Sequence, residues 1–545
     1  MKKAPRRDSG DAIGANAGGL DEIQPPLANA PMSEIIAALA SGQVTATALT
    51  KLYLTRIEAY DRGGPGLNSV RALNPDALTI AGKLDGTRPS ARRPLAGVSI
   101  LLKDNVATGD RQPTTAGSLA LEGARARRDA TVVKLLRTAG AVILGKANLT
   151  EFANMLAIDM PAGYSSLGGQ VKNPYVPDLV DEHGIPIVQP GGSSSGSAVA
   201  VAAGLCAASI GTETSGSLLS PASMNGLVTV KPTVGLISRA GIVPIAHSQD
   251  TAGPMTRTVR DAAILLNVLA AEDPRDPATK RQRRPADYTA GLTRDALKGA
   301  RIGVPSDPSD PLNDYFYGKL LPNRVKVMTE AIEVLRDLGA VIVRANMPTL
   351  GWIGGPGTTM TVLNRNPLSR TKGNLATPPV VFIYELKHDL NLYLRDWATN
   401  TGIRTLADVV AFNAANAEKA LRFGQDHFLA ADITRGDLTE REYKSARAMD
   451  LLAAKTRGMD AYMVRHKLDA VLFAGAMGAS IAAKAGYPSV MVSGGFISGT
   501  TDGKETPDYP LGITFAGRAW SEHKLLRLAY AYEQASNMRK PPPGL

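Results

Sequence analysis

Two serine–glycine clusters stand close together, Gly191-Gly192-Ser193-Ser194-Ser195-Gly196-Ser197 and Gly211-Thr212-Glu213-Thr214-Ser215-Gly216-Ser217. Between them lie a small-residue segment, Ser197–Ala203, that reads as a helix, and an apolar run, Leu205–Ile210, that reads as a buried strand. Glycine lets backbone N–H groups approach a ligand closely. Serine supplies hydroxyls that attack or relay a proton. A chain that repeats both within thirty residues is built for acyl chemistry, yet no base stands beside either cluster.

The surrounding pattern alternates strand and helix. Val98–Leu102, Ala141–Leu144, Ile302–Val304, Val341–Val343, Val471–Phe473 and Val490–Val492 read as short buried strands. Ala130–Ala139, Val327–Leu338 and His523–Ala535 read as helices, the first two stopped by Gly140 and Gly339. The rhythm predicts an α/β fold: one large, mixed, mostly parallel twisted sheet covered by helices on both faces. Ahead of it, a helix from Met32 with Ser33 as its cap and a second across Ala46–Tyr60 form an N-terminal helical layer. The expected organisation is a flexible lead (1–28) and a single domain (29–545). That domain divides into N-terminal helices (29–90), a catalytic core (91–345), a variable helical insertion lining the pocket (346–460) and a C-terminal part of the core (461–545). The insertion opens on a loop carrying Gly351, Gly354, Gly355 and Gly357, with Leu406–Asn413 and Asn416–Phe423 as helical pieces.

Several function classes fall away. The formal charge is +11, but the excess is scattered and only 5% of residues are aromatic, so no nucleic-acid partner is expected. Cys206 is the sole cysteine and sits in an apolar run, a core residue with no disulfide partner. No run of eighteen apolar residues exists, and no membrane span is expected. The basic N-terminus is followed by a polar, Gly-rich stretch from Asp8 to Gly19 and lacks the apolar core of a signal peptide. His183, His247, His388, His427, His466 and His523 make no metal-ligand spacing. There is no phosphate-cradling glycine motif and no GxSxG elbow. Neither metal nor cofactor is therefore expected.

Within the second cluster, successive N–H groups of Thr214, Ser215, Gly216 and Ser217 can converge on one point, as an oxyanion hole requires. The base must come from elsewhere in the chain. Lys103 ends an apolar strand in Leu101-Leu102-Lys103-Asp104-Asn105, where desolvation lowers a lysine pKa toward useful values.

The stretch Gly191 to Ala222 resembles the amidase signature family, whose pattern is Gly-Gly-Ser-Ser-Gly-Gly-Ser followed by Gly-Thr-Asp-x-Gly-Gly-Ser with 24 positions between the working serines. Ser193 and Ser217 are 24 apart, and Lys103-Asp104-Asn105 matches the context of the family's lysine. Gly145-Lys146-Ala147-Asn148, Asn173-Pro174-Tyr175, Lys231-Pro232-Thr233, Asp250-Thr251-Ala252-Gly253-Pro254-Met255 and Gly486-Tyr487-Pro488-Ser489 fit as well. The resemblance covers roughly residues 32 to 535. It implies Ser217 as nucleophile, Ser193 as bridging serine held by a cis peptide bond to its neighbour, Lys103 as ultimate base and Gly192 in a supporting place. It further implies a supporting hydrogen bond from Ser194 and a place for Met155 with its carbonyl near the site.

Two departures stand out. Ser195 and Ser215 replace family glycines, and Leu218-Leu219-Ser220-Pro221 replaces the common Ile-Arg-x-Pro. Segments 385–394 and 404–410 resemble the peptide amidase and aryl acylamidase branch. The resemblance thus implies hydrolysis of a small-molecule or short-peptide amide by a monomer or homodimer. The alternatives are an amidotransferase-type subunit releasing ammonia for a partner, and an esterase or carbamate hydrolase using the same triad.

Overall fold

The apolar runs become strands, most of them buried and the edge strand at Val341–Arg344 partly exposed, in the computed structural model, which describes residues 27–311, 314–318, 320–348, 362–363, 375–376, 379–501 and 504–545. Eleven of them join in one sheet: β1 (Val70–Leu73), β2 (Ser99–Lys103), β3 (Val142–Ala147), β4 (Ala208–Glu213), β5 (Val228–Lys231), β6 (Thr251–Thr256), β7 (Arg301–Val304), β8 (Val341–Arg344), β9 (Ala470–Ala474), β10 (Ser489–Thr501) and β11 (Lys504–Ala516). The order across the sheet is β1-β3-β2-β4-β6-β5-β10-β11-β9-β7-β8. The expected large mixed sheet is present, but its balance is not mostly parallel. Among the described residues, six of its ten pairings are antiparallel. The difference comes from the centre. β10 and β11 are separated by only two residues of sequence, a link too short for anything but an antiparallel pair. β6 carries Gly253 and Pro254 and so shows no apolar run to read.

The helices that matter for the site are α1 (Met32–Ser41), α2 (Ala46–Arg56), α3 (Thr131–Thr138), α4 (Ser195–Ala202), α5 (Leu219–Met224), α6 (Val259–Leu269), α7 (Val380–Asp396) and α8 (Glu522–Ser536). Ser33 does not cap α1. The Asp261 carboxylate on α6 accepts the N–H groups of Met32 and Ser33, each at 2.8 Å, and so caps the helix from over two hundred residues away. α2 ends at Arg56 and continues as a wider π-type turn to Arg62. The strand read at Leu205–Ile210 begins instead at Ala208, because Gly204 takes φ +67 and residues 204–207 turn the chain back from α4. In the region 416–423 only Ala417–Ala420 is helical, as Asn416 and Leu421 leave helical geometry.

Of the expected lead, residues 1–26 lie outside the described residues, and Ala28 is fully buried. The glycine loop at 351–357 also lies outside them. Among the described residues no helix is long and apolar enough to cross a membrane. Cys206 is buried, its thiol pushed up to about 12 by burial.

The small-residue helix α4 is buried along its whole length. Its composition follows from what lies against it. A Cβ on Gly196 would collide with the Ser69 carbonyl oxygen and stand 2.5 Å from that of Asn148. Both obstacles are backbone and cannot swing aside. Gly196→Ala is therefore expected to lose about 3 kcal/mol or more of stability, read as a lower urea midpoint with an unchanged slope.

Candidate active site

Lys103 is the last residue of β2, between its parallel neighbours β3 and β4, and is fully buried. Its Nζ lies 2.8 Å from Ser193 Oγ, 2.9 Å from Thr212 Oγ1 and 3.3 Å from the Thr212 carbonyl. Asn105 Nδ2 donates to the same Thr212 hydroxyl at 2.9 Å. Burial lowers the Lys103 pKa to about 7, partly opposed by the charges of Asp250 and Glu213.

The first serine cluster is folded tightly around this amine. Gly191 takes φ +73, and a Cβ there would stand 2.6 Å from Pro221 Cα. The Gly192–Ser193 peptide bond is cis, and the Ser193 carbonyl accepts the Thr150 N–H at 3.1 Å. Ser194 Oγ donates to the Thr212 carbonyl at 2.9 Å and accepts the Thr212 N–H at 3.2 Å. Ser194 N–H also donates to the Ser217 carbonyl at 3.2 Å, which joins the two clusters directly. Ser195, one of the two departures, donates its hydroxyl to the Gly191 carbonyl at 2.6 Å and closes the loop on itself.

The second cluster leaves the end of β4. Glu213 Oε2 accepts the N–H groups of Leu218 and Leu219 at 2.7 and 3.0 Å, capping the start of α5. Thr214 Oγ1 donates to Asp250 Oδ1 at 2.5 Å. Asp250 Oδ2 in turn accepts the N–H groups of Ile245 and Ala246 at 2.9 and 3.0 Å. Burial raises the Asp250 pKa to about 6 against these bonds. Gly216 takes φ +85, and its carbonyl accepts the Ser220 N–H at 2.7 Å. The backbone N–H groups of Thr214, Ser215, Gly216 and Ser217 donate to none of the described residues. Ser217 itself is buried. The structure offers no reason for serine over glycine at 215.

Met155 is buried behind an unusual segment. Phe152, Ala153 and Asn154 take φ 45, 55 and 72 in succession, a left-handed stretch without a glycine, and the Met155 N–H donates to the Phe152 carbonyl at 3.1 Å. Nothing in the residue types of Phe152 and Ala153 announces this conformation.

A cavity of about 360 Å³ opens beside the clusters and touches Thr212, Thr214 and Ala153. Helix α7 and the residue that follows it supply one wall through Leu392, Tyr393 and Trp397. The rest of the wall is Arg239–Ile245 and Arg275–Pro277, with no lining residue from 159–168. His247 is also on this wall, and its partner is not the neighbouring Asp250. Its Nδ1 lies 2.9 Å from Asp389 Oδ2, and His388 Nδ1 lies 2.7 Å from Asp389 Oδ1. Burial alone would lower the His247 imidazole; the bond to Asp389 and the nearby Glu385 charge outweigh it and raise the pKa. Donor atoms of His247, His388 and Asp389 all lie within 4.8 Å of one another, close enough to hold a metal ion. Sequence spacing could not show this, since His247 stands over a hundred positions before His388-Asp389.

A mixed α/β sheet that carries a buried lysine in contact with one of two linked serine–glycine loops is the architecture of an amide hydrolase. A family model described as Amidase matches residues 48–526, and the chain belongs to that family, the amidase signature enzymes. It is 41% identical to the peptide amidase of Stenotrophomonas maltophilia, whose crystal structure superposes with a TM-score of 0.80 over 95% of this chain and 99% of that one. A "probable amidase" of Arabidopsis thaliana is 39% identical over 523 residues, 94% of this chain and 91% of the relative. One glutamyl-tRNA(Gln) amidotransferase subunit, from Chloroflexus aurantiacus, is 33% identical over 538 residues, 93% of this chain and 97% of the relative.

The Ser195–Gly191 bond has a measurable consequence. Ser195→Ala leaves the Gly191 carbonyl buried and unpaired at this contact. Stability is expected to fall by about 1 kcal/mol, measured as a shift in the urea midpoint.

Proposed function

We propose that this enzyme cleaves the C–N bond of linear carboxamides, C-terminal peptide amides foremost, through an acyl-enzyme on Ser217 with Ser193 as relay and Lys103 as base. The observation that carries the reading is the 2.8 Å contact between Lys103 Nζ and Ser193 Oγ in a fully buried pocket. An amine with a pKa near 7 is largely neutral just above neutral pH and can accept a proton. With Nζ neutral, the Ser193 hydroxyl donates to it and accepts from Ser217, whose Oγ attacks the amide carbonyl carbon. The oxyanion is received by the N–H groups of Thr214, Ser215, Gly216 and Ser217, which have no other described acceptor.

Collapse of the tetrahedral intermediate breaks the C–N bond. The same relay returns the proton to the departing amine. Water then enters by the reverse path, giving up its proton through Ser193 to Lys103 as it hydrolyses the acyl ester. Ser194 and Gly192 hold the relay serine in place, and Met155 backs the left-handed segment at the cavity edge.

The peptide amide is favoured over an ammonia-releasing amidotransferase by the higher identity to the peptide amidase, 41% against 33%. The cavity of about 360 Å³, walled by Tyr393 and Trp397, suits a small amide-bearing group.

The mechanism sets the sign of the pH dependence. The base works when deprotonated, so kcat/KM for a C-terminal peptide amide is expected to rise with pH through about 7 and level off above it. A flat profile from acid to alkaline pH contradicts a lysine base. Ser217→Ala should abolish turnover of peptide amides and anilides alike. Lys103→Ala should lower kcat by about 10³-fold, with residual activity still climbing at high pH. Wild-type turnover in purified Ser217→Ala protein would overturn the mechanism.

A further inference from the structure

A second cavity, of about 430 Å³, shares no lining residue with the first. It lies where the end of α8, the start of α6 and the middle of β10 come together, with Gly226 on its wall. Its lining is basic: Arg257, Arg294 and Arg539 face it, together with Ser493, Asn29 and Glu533. What sets it apart is the number of polar atoms without partners. Arg539 Nε and Nη2 are buried and bond to none of the described residues. Arg257 donates Nη1 and Nη2 to the carbonyls of Ala28, Ala30, Cys206 and Ala207 at 2.8 to 3.2 Å, and its buried Nε is left over. Ser493 Oγ and Asn29 Oδ1 are likewise buried and unpartnered among the described residues.

Neither Arg257 nor Arg539 has a salt-bridge partner among the described residues. The one carboxylate on the wall, Glu533, is committed to the Val259 N–H at 2.8 Å, and burial pushes its pKa up to about 7. It is a weak counter-charge. Burial and the neighbouring Arg257 charge lower the Arg539 pKa to about 10 against weaker support from Tyr175 and Glu533, so the guanidinium stays positive at neutral pH. A buried cation that lacks a partner opposes folding, and a hydrophobic residue of like size would be better tolerated.

We propose that this cavity is a binding site for a small oxyanion, a phosphate ester or a carboxylate, gripped by the Arg539 guanidinium with Arg257 Nε and Ser493 Oγ as further donors. The planar fork of an arginine matches two oxygens of such a group. The volume exceeds that of a bare oxyanion, so the ligand has a body beyond its charged end. The site is placed to affect catalysis. α5 begins two residues after Ser217 and ends two residues before Gly226 on the cavity wall.

The test uses the full chain with inorganic phosphate and, separately, acetate at constant ionic strength. Calorimetry and thermal melting are expected to show saturable one-site binding and a melting temperature that climbs with ligand concentration. A response to phosphate alone assigns a phosphate ester, and a response to acetate alone a carboxylate. Arg539→Gln should lose the response while retaining amide turnover. Exposed Arg294 at the rim provides a milder variant, and Arg294→Gln should weaken binding several-fold. Absence of a saturable response to either anion, or an undiminished response in both variants, overturns the proposal.

Discussion

The contact between Lys103 Nζ and Ser193 Oγ is the constraint around which the centre of the sheet is arranged. It requires that β2 end at Lys103, that β4 run parallel beside it with Leu102 opposite Ile210, and that Thr212 stand where both its hydroxyl and its carbonyl reach the amine. It also requires that the first serine loop lie across the ends of these strands. Ser194 meets that demand, bonding once to each side of Thr212 and once to Ser217. Desolvation then lowers the Lys103 pKa to about 7, so that the amine is largely neutral just above neutral pH. An exposed lysine in the same place would stay protonated.

The parts of this arrangement that were legible in the sequence are those written in consecutive residues. The serine–glycine clusters, their 24-residue separation and the apolar run ending at Lys103 are local patterns, and each maps onto a local structure. Ser195 was visible as a departure, but its role depends on the Gly191 carbonyl folding back to 2.6 Å, which no pattern specifies. Asp250 and Thr214 are 36 positions apart and meet only because β4 and β6 pair antiparallel. That pairing was itself hidden by Gly253 and Pro254. The same limit applies to the cap that Asp261 provides to α1 and to the pairing of His247 with Asp389. Each is a side chain satisfied by an element distant in sequence, and residue type alone names no partner.

The cavity beside the serine clusters draws on two parts of the fold. Thr212, at the end of β4, and Thr251, at the start of β6, line it from the sheet. Its wall comes from α7 and from the loops 239–245 and 275–277. Arg239 is locked to Asp276, and Arg128 and Arg275 both lie over the Trp397 ring. The wall is thus stiffened by its own ion pair and cation–π contacts, in addition to the Asp250 carboxylate that joins Ile245 to Thr214. Substitutions there can change which group is accepted without disturbing the relay.

Polar groups in the protein interior separate into two kinds by how they are satisfied. Beside Lys103, the Asp250 carboxylate receives three hydrogen bonds, and Ser194 bonds through both its hydroxyl and its N–H. Such bonds hold these groups in one geometry and need no ligand to complete them. Around Arg539 the unpartnered donors Arg539 Nε, Arg539 Nη2 and Arg257 Nε belong to two cations. Unpaired cations in a protein interior carry a desolvation cost that a bound anion would offset. Their presence in a cavity at the far end of the helix that follows Ser217 is explained most simply by an anion that completes them.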